Sequence, residues 1–180
     1  LIKLNQPLQP GDSIAFNFQY EFAPKGFANS DTETEVVGNG TFFNSHNLPG
    51  LGYDSDTELS ENEARKKYGL KSKPRLAKVN DLKARMNNFI SNDADWIRFK
   101  TQISTDENQI AIAPGYLQKE WKVKDRRYFT YKMDAPILNF YAFLSANYQV
   151  KKSKWNNVNI EIYYQKGHEY NLDRMISSIK

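Results

Sequence analysis

The 180-residue chain holds two histidines and no cysteine, so any metal site or activated nucleophile must be built from few parts. His168 opens His168-Glu169-Tyr170-Asn171-Leu172, which starts like the zinc-protease motif H-E-x-x-H. That motif works because two imidazoles one helical turn apart face the same metal ion. Leu172 stands where the second imidazole is needed, so His168 reads as a turn or helix-start residue. His46, in Asn44-Ser45-His46-Asn47, has no second ligand near it in sequence and reads as part of a surface loop. Asp54, Asp56 and Glu58 alternate as the opening carboxylates of some calcium loops do. The glycine at the sharp bend and the distal bidentate glutamate are absent, and carboxylates ahead of a helix are also expected from its dipole.

Other chemistry is equally sparse. No G-x-S-x-G elbow surrounds a serine, the strained turn that exposes a nucleophile in many hydrolases. Gly38-Asn39-Gly40 and Gly50-Leu51-Gly52 lack the lysine or helix that completes a phosphate loop. Asn39-Gly40-Thr41 is a glycosylation triplet, meaningful only in a eukaryotic secretory protein. Trp96, Trp121 and Trp155 could line a carbohydrate-binding face, although strand aromatics serve first as core or interface. The expectation is a chain with no catalytic residue and no metal ligand of its own.

The elements that would position these residues read mostly as strands. Ser13–Phe22 alternates strictly, with Ile14, Phe16, Phe18, Tyr20 and Phe22 on one face, and predicts a half-buried strand. Short strands are expected over 33–37 and 41–44. From Trp96 the pattern returns over 96–104, 109–113, 116–121, 127–133, 140–150 and 158–165, with a turn at Pro114-Gly115. Residues 54–95 differ: Ser60 and Glu63 have capping-box spacing ahead of a helix over 61–68 that closes at Gly69, and a short helix is expected over 80–88. Leu172, Met175, Ile176 and Ile179 recur at helical spacing in the last segment. An apolar helix face normally has a partner, and the chain reads as one domain of a longer protein. Antiparallel strands without β-then-helix alternation predict a mainly β fold, an antiparallel β-sandwich with a partly helical insertion over about 54–95 and a C-terminal helix start.

Composition sets broad limits. The 22 Tyr and Phe residues against nine Gly favour strands. No apolar run approaches membrane-spanning length, and mean hydropathy is −0.73. Without cysteine there is no disulfide or zinc-thiolate site. The net charge of +4 is mild, although basic residues cluster over 65–75 and 119–132. A nucleic-acid or membrane-surface role requires such clusters to converge on one face, and the expectation is that no nucleic acid is bound.

The order of signals resembles the aminopeptidase N-type zinc metallopeptidases, in which a β-sandwich domain precedes a thermolysin-like catalytic domain. The resemblance is carried by Leu8-Gln9-Pro10-Gly11-Asp12 ahead of an alternating strand, by Met133-Asp134-Ala135-Pro136-Ile137-Leu138-Asn139-Phe140-Tyr141-Ala142-Phe143, and by Gly167 to Lys180 as the first helix of the catalytic part. Gln109 to Gln118 and Gly167 to Asn171 are most similar to the bacterial branch in which a peptidase-like region is fused to an ABC-type permease.

The resemblance implies a sandwich domain over 1–166 and, over 167–180, the start of the helix leading into a catalytic domain. It implies a non-catalytic role covering the substrate cleft of that domain, docked through Leu172, Met175, Ile176 and Ile179. Zinc and its ligands would belong to the catalytic domain, so this chain needs no cofactor. The family's sandwich lends a Glu or Gln that holds the substrate's free amino terminus. The similar loop here, Gly38 to Pro49, has neither, which leaves Asn39 or Asn44 as neutral substrate-adjacent acceptors that bind an ammonium more weakly than a carboxylate does. The implied partners are the catalytic domain and a peptide substrate, with a bacterial membrane reached only through other segments. The alternative is an accessory peptide- or carbohydrate-binding sandwich of a transporter-linked protein whose peptidase site is degenerate.

Overall fold

Phe129 and Tyr131 alternate with Tyr128, Thr130 and Lys132, and this period-two pattern builds the central strand of a three-stranded antiparallel sheet. The computed structural model of the protein describes residues 4–24, 34–38, 40–49, 58–73, 77–86 and 96–180. Within them the strands are β1 (Val36–Val37), β2 (Gly40–Asn44), β3 (Trp96–Ile97), β4 (Lys100–Asp106), β5 (Ile110–Ile112), β6 (Tyr116–Val123), β7 (Arg126–Lys132), β8 (Ile137–Leu138), β9 (Ala142–Ala146), β10 (Gln149–Trp155) and β11 (Val158–Tyr164). The α-helices are α1 (Asn62–Lys67) and α2 (Leu172–Ile179). The fold is mainly β, and every pairing among the described residues is antiparallel, with sheets ordered β1-β2-β9-β5, β4-β7-β6, β3-β8 and β10-β11.

Tight turns set the registers. β6 and β7 are joined by Lys124-Asp125, and β10 and β11 by Asn156-Asn157, with Lys124 at φ 53 and Asn156 at φ 51. Such two-residue connections need left-handed backbone to match the strand twist. Gly115 is at φ +103, and a Cβ there would lie 2.6 Å from the Lys132 carbonyl carbon and oxygen. Only glycine fits that approach.

Two sheets pack face to face through Ala111 and Ala113 on one side and Phe129 and Tyr131 on the other, with Ile103 and Phe143 against them. The small alanines let the layers approach closely enough for the Tyr131 hydroxyl to donate to the Ala111 carbonyl at 2.9 Å. A second apolar cluster joins Ile160 and Ile162 of β11 to Leu172 and Ile176 of α2.

Several expectations need correction. Residues 13–22 form no strand: Ile14, Phe16, Phe18 and Tyr20 are each about half exposed. The alternation does keep rings together, with Phe16 and Phe18 5.6 Å apart and Tyr20 and Phe22 each 6.1 Å from Phe43. Periodicity fixes which side chains share a side, whereas a strand also needs a backbone partner, and the segment pairs with none among the described residues. The run over 140–150 is two strands in different sheets, because the chain turns at Asn147-Tyr148, where the Tyr148 N–H reaches the Ala146 carbonyl at 2.8 Å. Inside the stretch Met133 to Phe143, the two-residue strand β8 pairs with β3 rather than continuing into β9. The capping box fails: Glu61 is the N-cap of α1 and makes no side-chain cap bond. Gly69 closes that helix as expected, at φ +68. Of the helix expected over 80–88, residues 80–86 are described, and they hold a 3-10 turn, Ala84–Met86, with Asp81 Oδ1 accepting from the Ala84 N–H at 3.0 Å. The readings at Asn39, Asp54, Asp56, Gly50 to Gly52 and the loop over 25–30 lie outside the described residues.

Candidate functional site

Four apolar residues at positions i, i+3, i+4 and i+7 occupy one stripe of a helix, and α2 divides them. Leu172 and Ile176 are 4% and 7% exposed and pack on the β10-β11 hairpin, while Met175 and Ile179 are 49% and 53% exposed. The helix is further pinned by Asp173, in its first turn, which binds Lys151 Nζ at 2.6 Å. It enters through a 3-10 turn, Glu169–Asn171, where Glu169 Oε1 accepts from the Gly167 N–H at 3.0 Å. Half of the expected docking set is therefore already occupied inside this chain. Met175 and Ile179 are the half that faces outward.

The substrate-adjacent candidates fare differently. Asn39 lies outside the described residues. Asn44 ends β2, pairs with Ala142 and uses its side-chain oxygen to accept the His46 N–H at 2.9 Å, so its acceptor is engaged locally. His46 is exposed and sits edge-on to Phe140, ring centres 5.8 Å apart. His168 precedes the 3-10 turn ahead of α2 and makes no cap bond. Glu58 binds Arg65 at 3.2 Å, which ties the segment before α1 to the helix. Among the described residues, no three His, Asp or Glu side chains gather closely enough to hold a metal ion. No described helix is long and apolar enough to cross a membrane.

A cleft of about 340 Å³ opens where β2 and β9 meet β4 and β7. Its polar lining includes Thr41, Thr105, Asp106, Gln109, Arg126 and Ser145. Much of that polarity is internally satisfied: the Thr105 hydroxyl donates to Gln109 Oε1 at 2.8 Å, and the Arg126 guanidinium donates to the Ser104 carbonyl and hydroxyl at 2.7 and 2.9 Å. The cleft can admit a small polar group, and among the described residues no hydroxyl in its lining is hydrogen-bonded to a carboxylate or imidazole.

Beside the core, Glu161 links Lys152 at 2.8 Å and the Tyr163 hydroxyl at 2.7 Å. Those two hydrogen bonds, Lys152 first, hold the Glu161 carboxyl below its usual range. Burial, then the bond to Glu161, pushes the Tyr163 phenol up. Burial, reinforced by Glu120 and Glu161, pushes Tyr131 up to about 12. Phenols this hard to ionise act as neutral hydrogen-bond donors, which is a structural role.

The three tryptophans lie on three different sheets, so they form no single platform. Trp121 stacks on Tyr128 at 5.2 Å with Lys119 Nζ 5.0 Å from its ring centre. Sequence reasoning missed the outward face of the β4-β7-β6 sheet, where Lys100, Lys119 and Lys132 come together. Their alternation was visible, but strand registry alone places Lys100 opposite Lys132. No protein-family profile, curated protein or solved structure matches the chain.

Proposed function

We propose that this chain is a non-catalytic β-rich domain of a membrane-associated, zinc aminopeptidase-like protein, covering one side of the substrate cleft of a neighbouring catalytic domain. The observation that carries the reading is α2, anchored on the β10-β11 hairpin by Leu172 and Ile176 while Met175 and Ile179 extend the same stripe into solvent. A helix seated on a hairpin with a spare apolar edge suits a domain junction, since exposed apolar groups beside a buried seam favour further packing. The mainly antiparallel β architecture followed by a helix agrees with the domain order that the resemblance implies. Asn44 is not part of this reading, because its acceptor already serves its own chain.

The test has two parts. Reading the gene beyond the codon for Lys180 should reveal an H-E-x-x-H helix with a further Glu, which would supply three zinc ligands and a base. The whole protein should then release amino-terminal residues from peptides in a chelator-sensitive manner, and Met175→Asp with Ile179→Asp should weaken that activity. Absence of those ligands, or chelator-insensitive activity, would overturn the peptidase assignment.

A further inference from the structure

The outward face of the β4-β7-β6 sheet collects positive charge without matching negative charge. Pairing sets Lys100 directly opposite Lys132, with Tyr116 next across β7. Lys119 opposes Thr130 on the adjoining row, and Trp121 opposes Tyr128 on the row after that. Lys100, Lys119 and Lys132 are exposed, and none of them is in an ion pair among the described residues. The carboxylate on this face is Asp106, at the far end opposite Arg126.

Two features mark this clustering. Like charges directly opposite each other across strands destabilise a sheet, and Lys100 with Lys132 is such a pair. The β6 strand also carries a register shift between Leu117 and Lys119. Without that extra residue, period two would turn Lys119 and Trp121 to the inner face and Glu120 outward. The bulge re-aims them, as bulges near functional surfaces do. It exchanges Gln118, Glu120 and Lys122 for Lys119, Trp121 and Val123 on the outer face, which removes a carboxylate and adds an indole while the lysine count stays the same.

We propose that this outer sheet face rests on the anionic phospholipid headgroups of a bilayer. Lysines suit such a surface because each acts as a point charge on a flexible stem rather than as a fork for one bound anion. Tyr116 and Val123, 63% and 50% exposed on the edge strand, add the aromatic and apolar contacts that favour the membrane–water boundary. Base stacking by a nucleic acid is disfavoured, because Trp121 is already stacked on Tyr128 with Lys119 beside it. The proposal adds a bilayer contact to the membrane-associated reading and stands apart from the peptidase assignment, since it needs no zinc and no substrate.

The test is co-sedimentation of the chain with vesicles of phosphatidylcholine alone or containing about 30% phosphatidylglycerol, a content that gives an anionic surface potential. Binding is expected only to the anionic vesicles. It should weaken about fivefold for each lysine removed, so about a hundredfold in Lys100→Gln/Lys119→Gln/Lys132→Gln. A control with the same charge change, Lys71→Gln/Lys78→Gln/Lys166→Gln, should retain most of the binding. Raising salt from about 0.1 M to about 1 M, which shortens the screening length from about 10 Å to about 3 Å, should release the unmodified chain. Absence of anionic-vesicle binding, equal loss in both triple variants, or tighter binding to single-stranded DNA than to vesicles would each overturn the proposal.

Discussion

Replacing Ile176 with alanine tests whether α2 is seated inside this chain. The side chain is 7% exposed and contacts the cluster of Ile160, Ile162 and Leu172. Isoleucine to alanine removes three carbon atoms, worth about 2.4 kcal/mol at about 0.8 kcal/mol per buried methylene. A residual cavity would add to this, but α2 packs on a two-stranded hairpin and can settle inward. The expected loss is therefore about 2–3 kcal/mol, at the low end of the range for such truncations. Met175→Ala, one residue away but 49% exposed, should change stability by no more than about 0.5 kcal/mol. Urea unfolding gives the global effect, and amide hydrogen exchange within 172–180 separates undocking of the helix from unfolding of the whole chain. An eight-residue helix has little stability of its own, so its protection should collapse in Ile176→Ala and survive in Met175→Ala. Equal effects of the two substitutions, or unchanged protection in Ile176→Ala, would refute the seating of α2 on the hairpin.

Two further outcomes follow from the core and its turns. Tyr131 has a folded-state pKa raised from 10.0 to about 12. A group whose folded pKa is raised contributes stability that is complete below the unfolded value and is lost as pH rises through the folded one, so unfolding midpoints should fall between about pH 10 and about pH 12. Tyr131→Phe should remove its share of that alkaline loss while costing about 1 kcal/mol at neutral pH through the unpaired Ala111 carbonyl. Gly115→Ala should destabilise by more than about 1 kcal/mol in the same denaturation assay, because φ is +103 and the new Cβ would meet the Lys132 carbonyl. A neutral or stabilising effect of that substitution would refute the turn geometry.

Local chemistry made much of the strand content legible. The alternation over 126–132, the Pro114-Gly115 turn, the helix stop at Gly69 and the apolar spacing from Leu172 to Ile179 are near-neighbour effects, and the structure contains each of them. The same logic failed at residues 13–22, where strict alternation met no pairing strand among the described residues, and over 140–150, where one apolar run serves two sheets. Among the candidate residues, sequence identified Asn44 but not that its oxygen caps its own chain. It assembled the α2 stripe but not the split between Leu172 and Ile176, which are buried, and Met175 and Ile179, which are not.

What the sequence by itself determined was the kind of element each stretch forms and which of its residues share a side, because those properties repeat every two or 3.6 residues along one chain. Tertiary structure alone decided which elements meet. The hairpin claimed half of α2 because burying Leu172 against Ile160 and Ile162 removes apolar surface from water. Registry, shifted by one bulged residue in β6, gathered Lys100, Lys119 and Lys132 from three strands onto one face. Those choices depend on contacts between residues far apart in the chain, and no local period encodes them.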